Sequence, residues 1–138
     1  MFEEPPRTRY FTEDELTAML ANASEPLKQF IFVGINSGMR LSEILGLSWS
    51  EVDIKDNTIH LPADRVKRKR ARDVRLNKSM VELLEKLKLK KKGEEFVFPN
   101  PKTGEPYGKY IFHTWQRLLK RCGIKKGKTN IRVRYFYD

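Results

Sequence analysis

Two side chains three positions apart, Arg40 and Glu43, form the pairing in this sequence with the clearest chemical use. Gly38 and Met39 put the arginine directly after a glycine break, at the mouth of a short apolar-periodic stretch. Glu43 then falls on the same helical face. A carboxylate so placed can hold a guanidinium still, which a phosphate clamp needs, because a loose arginine loses rotamer entropy on binding. The same spacing also fits an exposed helical ion pair, worth at most about 1 kcal/mol. On spacing alone, the ion pair is the stronger reading.

Cation runs supply the next pattern. Residues 65–75 read RVKRKRARDVR and residues 131–135 read IRVRY. Generic phosphate contact is a strong account of such runs, and the planar fork of arginine suits phosphate oxygens better than solvation requires. The net charge of +10 is unevenly placed. Residues 1–64 carry five Lys or Arg against eleven Asp or Glu, and residues 65–138 carry twenty-three against seven. That asymmetry is an electrostatic footprint for a polyanion, although a solvated lysine-rich surface is the bland alternative.

Other chemistries find little support. His60 and His113 are the only histidines, and neither has a carboxylate or cysteine at ligand spacing. His113, beside the apolar stripe of its helix, reads as a surface or partly buried structural residue. There is no Gly-rich phosphate loop and no serine elbow, and PKTG at 101–104 reads as a turn. No metal and no cofactor are expected. The single cysteine, Cys122, excludes an internal disulfide framework and sits on a helical stripe as a buried thiol. A reducing, intracellular (cytoplasmic) setting follows by default. No apolar run approaches membrane-spanning length, and MFEEPPRTRY lacks the apolar stretch of a secretory leader.

The elements that must position these residues follow from periodicity. Residues 1–11, with Pro5 and Pro6, read as a linker or arm, and residues 12–138 as one domain. Thr12 and Glu15 form a capping box ahead of Leu16, Met19, Leu20 and Ala23. A second helix begins after Ser24 and Pro26; Leu27, Phe30, Ile31, Val33 and Ile35 make it apolar on more than one face, hence central. A short helix spans about 41–47. Segments 52–54 and 58–61 alternate around Asp56-Asn57 as a hairpin with a tight turn, and a third strand lies near 73–76. Asn77 caps a helix carrying Met80, Val81, Leu84 and Leu87. A last clear helix runs from Ile111 to Cys122, closed by Gly123. Residues 131–137 alternate as a strand does. The sum is an α+β domain, mainly helical, with a small three-stranded antiparallel sheet.

Residues 38–54, GMRLSEILGLSWSEVDI, resemble the first active-site box of the tyrosine recombinases, the phage integrase family, whose pattern is close to TGMRxSEhhxLxWxDhD with h apolar. VKRKRARDVRL at 66–76 resembles the family's hairpin segment, TKTGKxRxVPL, and residues 96–124 resemble the stretch before its second box. Three matches in family order cover nearly everything after Thr12.

The resemblance implies metal-free cleavage of DNA, in which a tyrosine hydroxyl attacks a phosphodiester, forms a 3′-phosphotyrosyl link and releases a 5′-hydroxyl. It implies roles by position. Arg40 is the first arginine and Glu43 the acid supporting it. Lys67 is the hairpin lysine that donates to the departing oxygen, with Lys69 as fallback. Arg134 is the second arginine, with Arg132 as the alternative in a register shifted by two. The surrounding cations Arg65, Arg68, Lys69, Arg70, Arg72 and Arg132 are expected on the DNA, which is double-stranded, and the intact protein is expected to act as a homo-oligomer on it. The sequence departs from the pattern at the second box, usually HxLRH, where Ile131 holds the histidine position and can neither bond a phosphate nor move a proton. Residues matching the third box and the attacking tyrosine are not found, and Tyr135 and Tyr137 lie too close to Arg134 to serve. The chain is therefore expected to be a partial catalytic domain that binds DNA backbone without cleaving alone. The alternative is a non-catalytic DNA-binding module of the same fold.

Overall fold

The computed structural model describes residues 11–65 and 70–124, the Arg65 side chain excepted. Helix α1 (Glu13–Asn22) begins as its capping residues dictate. The Thr12 hydroxyl accepts from the Glu15 amide at 3.1 Å, and the Glu15 carboxylate accepts from the Thr12 amide at 2.9 Å. Helix α2 (Leu27–Ser37) buries Leu27, Phe30, Ile31 and Val33, and it packs against α1, α3 (Leu41–Leu45) and α4 (Lys78–Leu89). It is the central helix that apolar residues on several faces require. Gly38 ends it at φ 73°, a conformation that costs a residue bearing a Cβ.

Strands β1 (Val52–Asp53), β2 (Thr58–Leu61) and β3 (Arg72–Arg75) form an antiparallel sheet in that order. Ile59 pairs with Val74 and Leu61 with Arg72, so these four share a face, and Ile59, Leu61 and Val74 are buried there. His60 and Asp73 pair on the opposite, solvent face. The hairpin connection is longer than the tight turn expected at Asp56-Asn57. Asp53 pairs with Thr58, which leaves residues 54–57 between the strands, with Asn57 at φ 51°. The Asp53 carboxylate accepts from the Asp56 amide at 3.1 Å, and this side-chain closure lets the wider connection hold. β2 stops before Pro62, which has no N–H to continue the ladder.

Asn77 starts α4 by accepting from the Met80 amide at 2.9 Å, while its own amide donates to Asn36 Oδ1 at 3.0 Å. One side chain thus begins α4 and ties it to the end of α2. Helix α5 (Tyr110–Arg121) buries Ile111, Trp115, Leu118 and Leu119, with Trp115 edge-on to Phe11 at 6.1 Å. Phe98 and Tyr107, from the loop before α5, meet Phe30 edge-on at 6.0 and 5.8 Å. A pairing not visible in the sequence joins Ser48 to Phe96, with the Val97 amide donating to the Leu47 carbonyl at 2.9 Å. The described helices and the three-stranded sheet make the expected α+β arrangement. Among the described residues no helix is long and apolar enough to cross a membrane.

A candidate nucleic-acid interface

Arg40 is placed by its neighbours on both sides. The Ser37 hydroxyl donates to the Val33 carbonyl at 2.6 Å and accepts from the Met39 amide at 3.2 Å, which fixes the exit from α2. Met39 and Leu41 are then at most 1% exposed, so the residue between them has little freedom to move. Arg40 itself has extended backbone (φ −76°, ψ 154°) at the mouth of α3. Its side chain is half-buried, with Nε shut away from solvent.

Glu43 is 2% exposed, a burial that a carboxylate tolerates only when it is paired and hydrogen-bonded. Its Oε1 accepts from the Arg40 backbone amide at 2.9 Å. The guanidinium that it grips is that of Arg72, with Nη2 to Oε1 at 3.1 Å and Nη1 to Oε2 at 3.3 Å. This is the two-pronged geometry that makes arginine–carboxylate pairs both strong and directional. The sequence reading has Glu43 bracing the Arg40 side chain. Among the described contacts, Glu43 holds the Arg40 main chain and pairs with the Arg72 guanidinium.

Arg72, expected among the DNA contacts, therefore turns inward, its side chain 30% exposed. The signal was available in the strand pattern. Arg72 lies two residues before buried Val74, hence on the same face, and an arginine on an inward face needs a buried acid. Because Arg72 opposes Leu61, these two residues pair across the positions that flank residues 62–71. Arg70 in that loop is exposed. Lys67, Arg68 and Lys69, and Arg132 and Arg134 with Ile131, lie outside the described residues, as does the side chain of Arg65.

The opposite face of the sheet carries a second cluster. His60 Nδ1 lies 2.8 Å from Asp73 Oδ1, and this hydrogen bond, reinforced by the charge of Asp73 and by Asp53 and Asp56, holds the imidazole pKa above its ordinary value. Linear spacing misses these partners because the strand register supplies them. Asp53, Asp56 and His60 offer ligand atoms within 4.8 Å of one another, all exposed, as acidic groups at a hairpin end commonly are without any ion.

The model of the phage integrase family matches residues 9–134. The integrase of Salmonella phage P22 is 26% identical over 129 residues, a match that takes in 86% of this chain and 33% of that protein. Among solved structures, XerA recombinase superposes with a TM-score of 0.61 at 23% identity, covering 92% of this chain and 48% of that one. The catalytic domain of bacteriophage HP1 integrase superposes at 0.59 with 19% identity, covering 88% and 63%. The Tn1549 transposon integrase in complex with transposon right end DNA superposes at 0.58 with 18% identity, covering 86% and 47%. This chain spans a third to just under two thirds of the length of these relatives. With the family pattern running through almost all of its residues and the catalytic-domain fold beneath them, the chain belongs to the phage integrase family, the tyrosine recombinases.

Proposed function

We propose that residues 12–138 are the DNA-binding part of a tyrosine-recombinase catalytic domain, joined to residues 1–11 as an arm, and that they grip the backbone of duplex DNA. The observation that carries this reading is Arg40. It stands half-buried at the mouth of α3, its main chain held by Glu43, next to the base of a loop reading PADRVKRKRA. An arginine whose main chain is fixed in advance forfeits less entropy when a phosphate arrives. The loop cations supply the sequence-independent attraction to phosphates.

In the intact protein a tyrosine hydroxyl attacks the phosphorus, the P–O5′ bond breaks, and a 3′-phosphotyrosine forms. Arg40 and Arg134 stabilise the charge that gathers on the nonbridging oxygens, and Lys67 gives the proton to the leaving 5′-oxygen. Such a protein works inside the cell, as an oligomer on paired sites. The 138 residues alone bind without cutting. A gel-shift series at matched salt tests the binding: duplex DNA is retarded more strongly than duplex RNA, and equal retardation sinks the reading. A suicide DNA substrate tests the chemistry, because a covalent adduct would place the nucleophile within these residues.

Ile131 favours a second reading, a DNA-binding module without catalysis that serves as regulator or competitor. In that case Ile131→His in a chain supplied with a tyrosine-bearing segment restores no cleavage.

A further inference from the structure

We infer that Arg72 is a positioning residue for Arg40, acting through Glu43, and not a phosphate contact of its own. The inference rests on Arg40 being a phosphate ligand. Both terminal nitrogens of Arg72 are committed to a carboxylate that is 2% exposed. One oxygen of that carboxylate, Oε1, is shared between Arg72 Nη2 at 3.1 Å and the Arg40 amide at 2.9 Å. The shared atom makes the two contacts one linkage. If Arg72 withdraws, the carboxylate loses its two-pronged partner, and it cannot swing outward without releasing the amide that sets where the chain enters α3.

Charge adds a second reason. A carboxylate left without its guanidinium would face any phosphate bound at Arg40, and like charges a few ångströms apart repel strongly where water is excluded. Arg72 cancels that charge from the protein side. Its place at the first residue of β3, opposite Leu61, means that the same guanidinium locks the base of the basic loop against the mouth of α3. Arg72 thus holds together two parts of the site that lie far apart in sequence.

The test uses the full 138-residue chain and a fluorescein-labelled DNA duplex, with binding read by anisotropy and folding by thermal melts. Arg72→Lys keeps a positive charge but loses the two-pronged hold on Glu43, so its effect is read against that of Arg40→Ala to separate positioning from direct contact. The positioning role predicts binding about tenfold weaker, a coupling typical of residues in one network. The same substitution then adds nothing further in an Arg40→Ala background. Arg72→Met combined with Glu43→Leu replaces the pair by apolar atoms of similar volume. It should stay folded and bind about tenfold more weakly.

The inference is overturned if Arg72→Lys binds as the parent does, or if its effect multiplies with that of Arg40→Ala. Should Arg72→Lys melt below the assay temperature, the apolar pair decides: parental binding by that folded variant also overturns it. Failure of the functional reading looks different, because Arg40→Ala alone would then leave binding unchanged.

Discussion

Glu43 and Arg72, 29 positions apart in sequence, meet through hydrogen bonds of 3.1 and 3.3 Å. The pair joins the first box of the family pattern to its hairpin segment. Removing one partner strands the other. Glu43→Ala should lower unfolding free energy by about 3 kcal/mol, the low end for breaking a buried pair, because the Arg72 side chain is 30% exposed and can recover some water. Urea unfolding measures it, and a loss below about 1 kcal/mol, the scale of a surface bridge, would show that the pair is far less structural than its burial implies.

Arg40→Ala should cost affinity evenly across DNA sequences, since a phosphate contact carries no base information. The slope of log K against log salt should become shallower by about 0.9, the value for one phosphate neutralised on duplex DNA. An unchanged slope would mean that Arg40 meets no phosphate.

His60 gives the chain a pH signature. Its folded pKa is raised, first by the hydrogen bond to Asp73. The sign follows: stabilisation by the protonated ring is fully present below the unfolded value, about 6.5, and is lost as pH rises through the folded value. In an NMR titration the His60 midpoint should lie above that of an ordinary histidine, and Asp73→Asn should bring it down. A midpoint indifferent to Asp73→Asn would show that the ring and the acid part in solution.

Asn77→Ala removes the α4 cap and the link to Asn36 together. A cap alone is worth about 1 kcal/mol, so the loss should reach or exceed that figure in thermal or urea unfolding. Asn77→Ser, which caps α4 through its hydroxyl oxygen but is too short to reach Asn36, should lose less than Asn77→Ala. Full recovery would assign the whole effect to the cap.

Local signals gave most of the fold. Thr12 with Glu15, Asn77 and Gly123 mark helix ends because capping uses neighbours within one turn. The apolar residues of α2 announce its central place for the same reason of short range. The hairpin connection came out too short, since the Asp53 side chain, and not the residue pair at its tip, closes it. The Ser48–Phe96 pairing lies beyond any local pattern. At the site, the spacing of Arg40 and Glu43 brings the two together, and the Arg40 amide donates to Glu43 Oε1. That Glu43 also takes the Arg72 guanidinium follows from the inward face of β3, which spacing along the chain does not reveal.

The Ser48–Phe96 clasp has a topological effect. Residues 49–95, which include the three strands and α4, are bracketed by this contact, where the Trp49 amide donates to the Glu95 carbonyl at 2.9 Å and the Val97 amide to the Leu47 carbonyl. An excursion with coincident ends can change length at little thermodynamic cost, since closure entropy grows only with the logarithm of the number of residues enclosed. A change of length between residues 62 and 71 should therefore leave the mouth of α3 in place. The clasp is a long-range contact, so the amides of Trp49 and Val97 should gain protection late when the chain refolds.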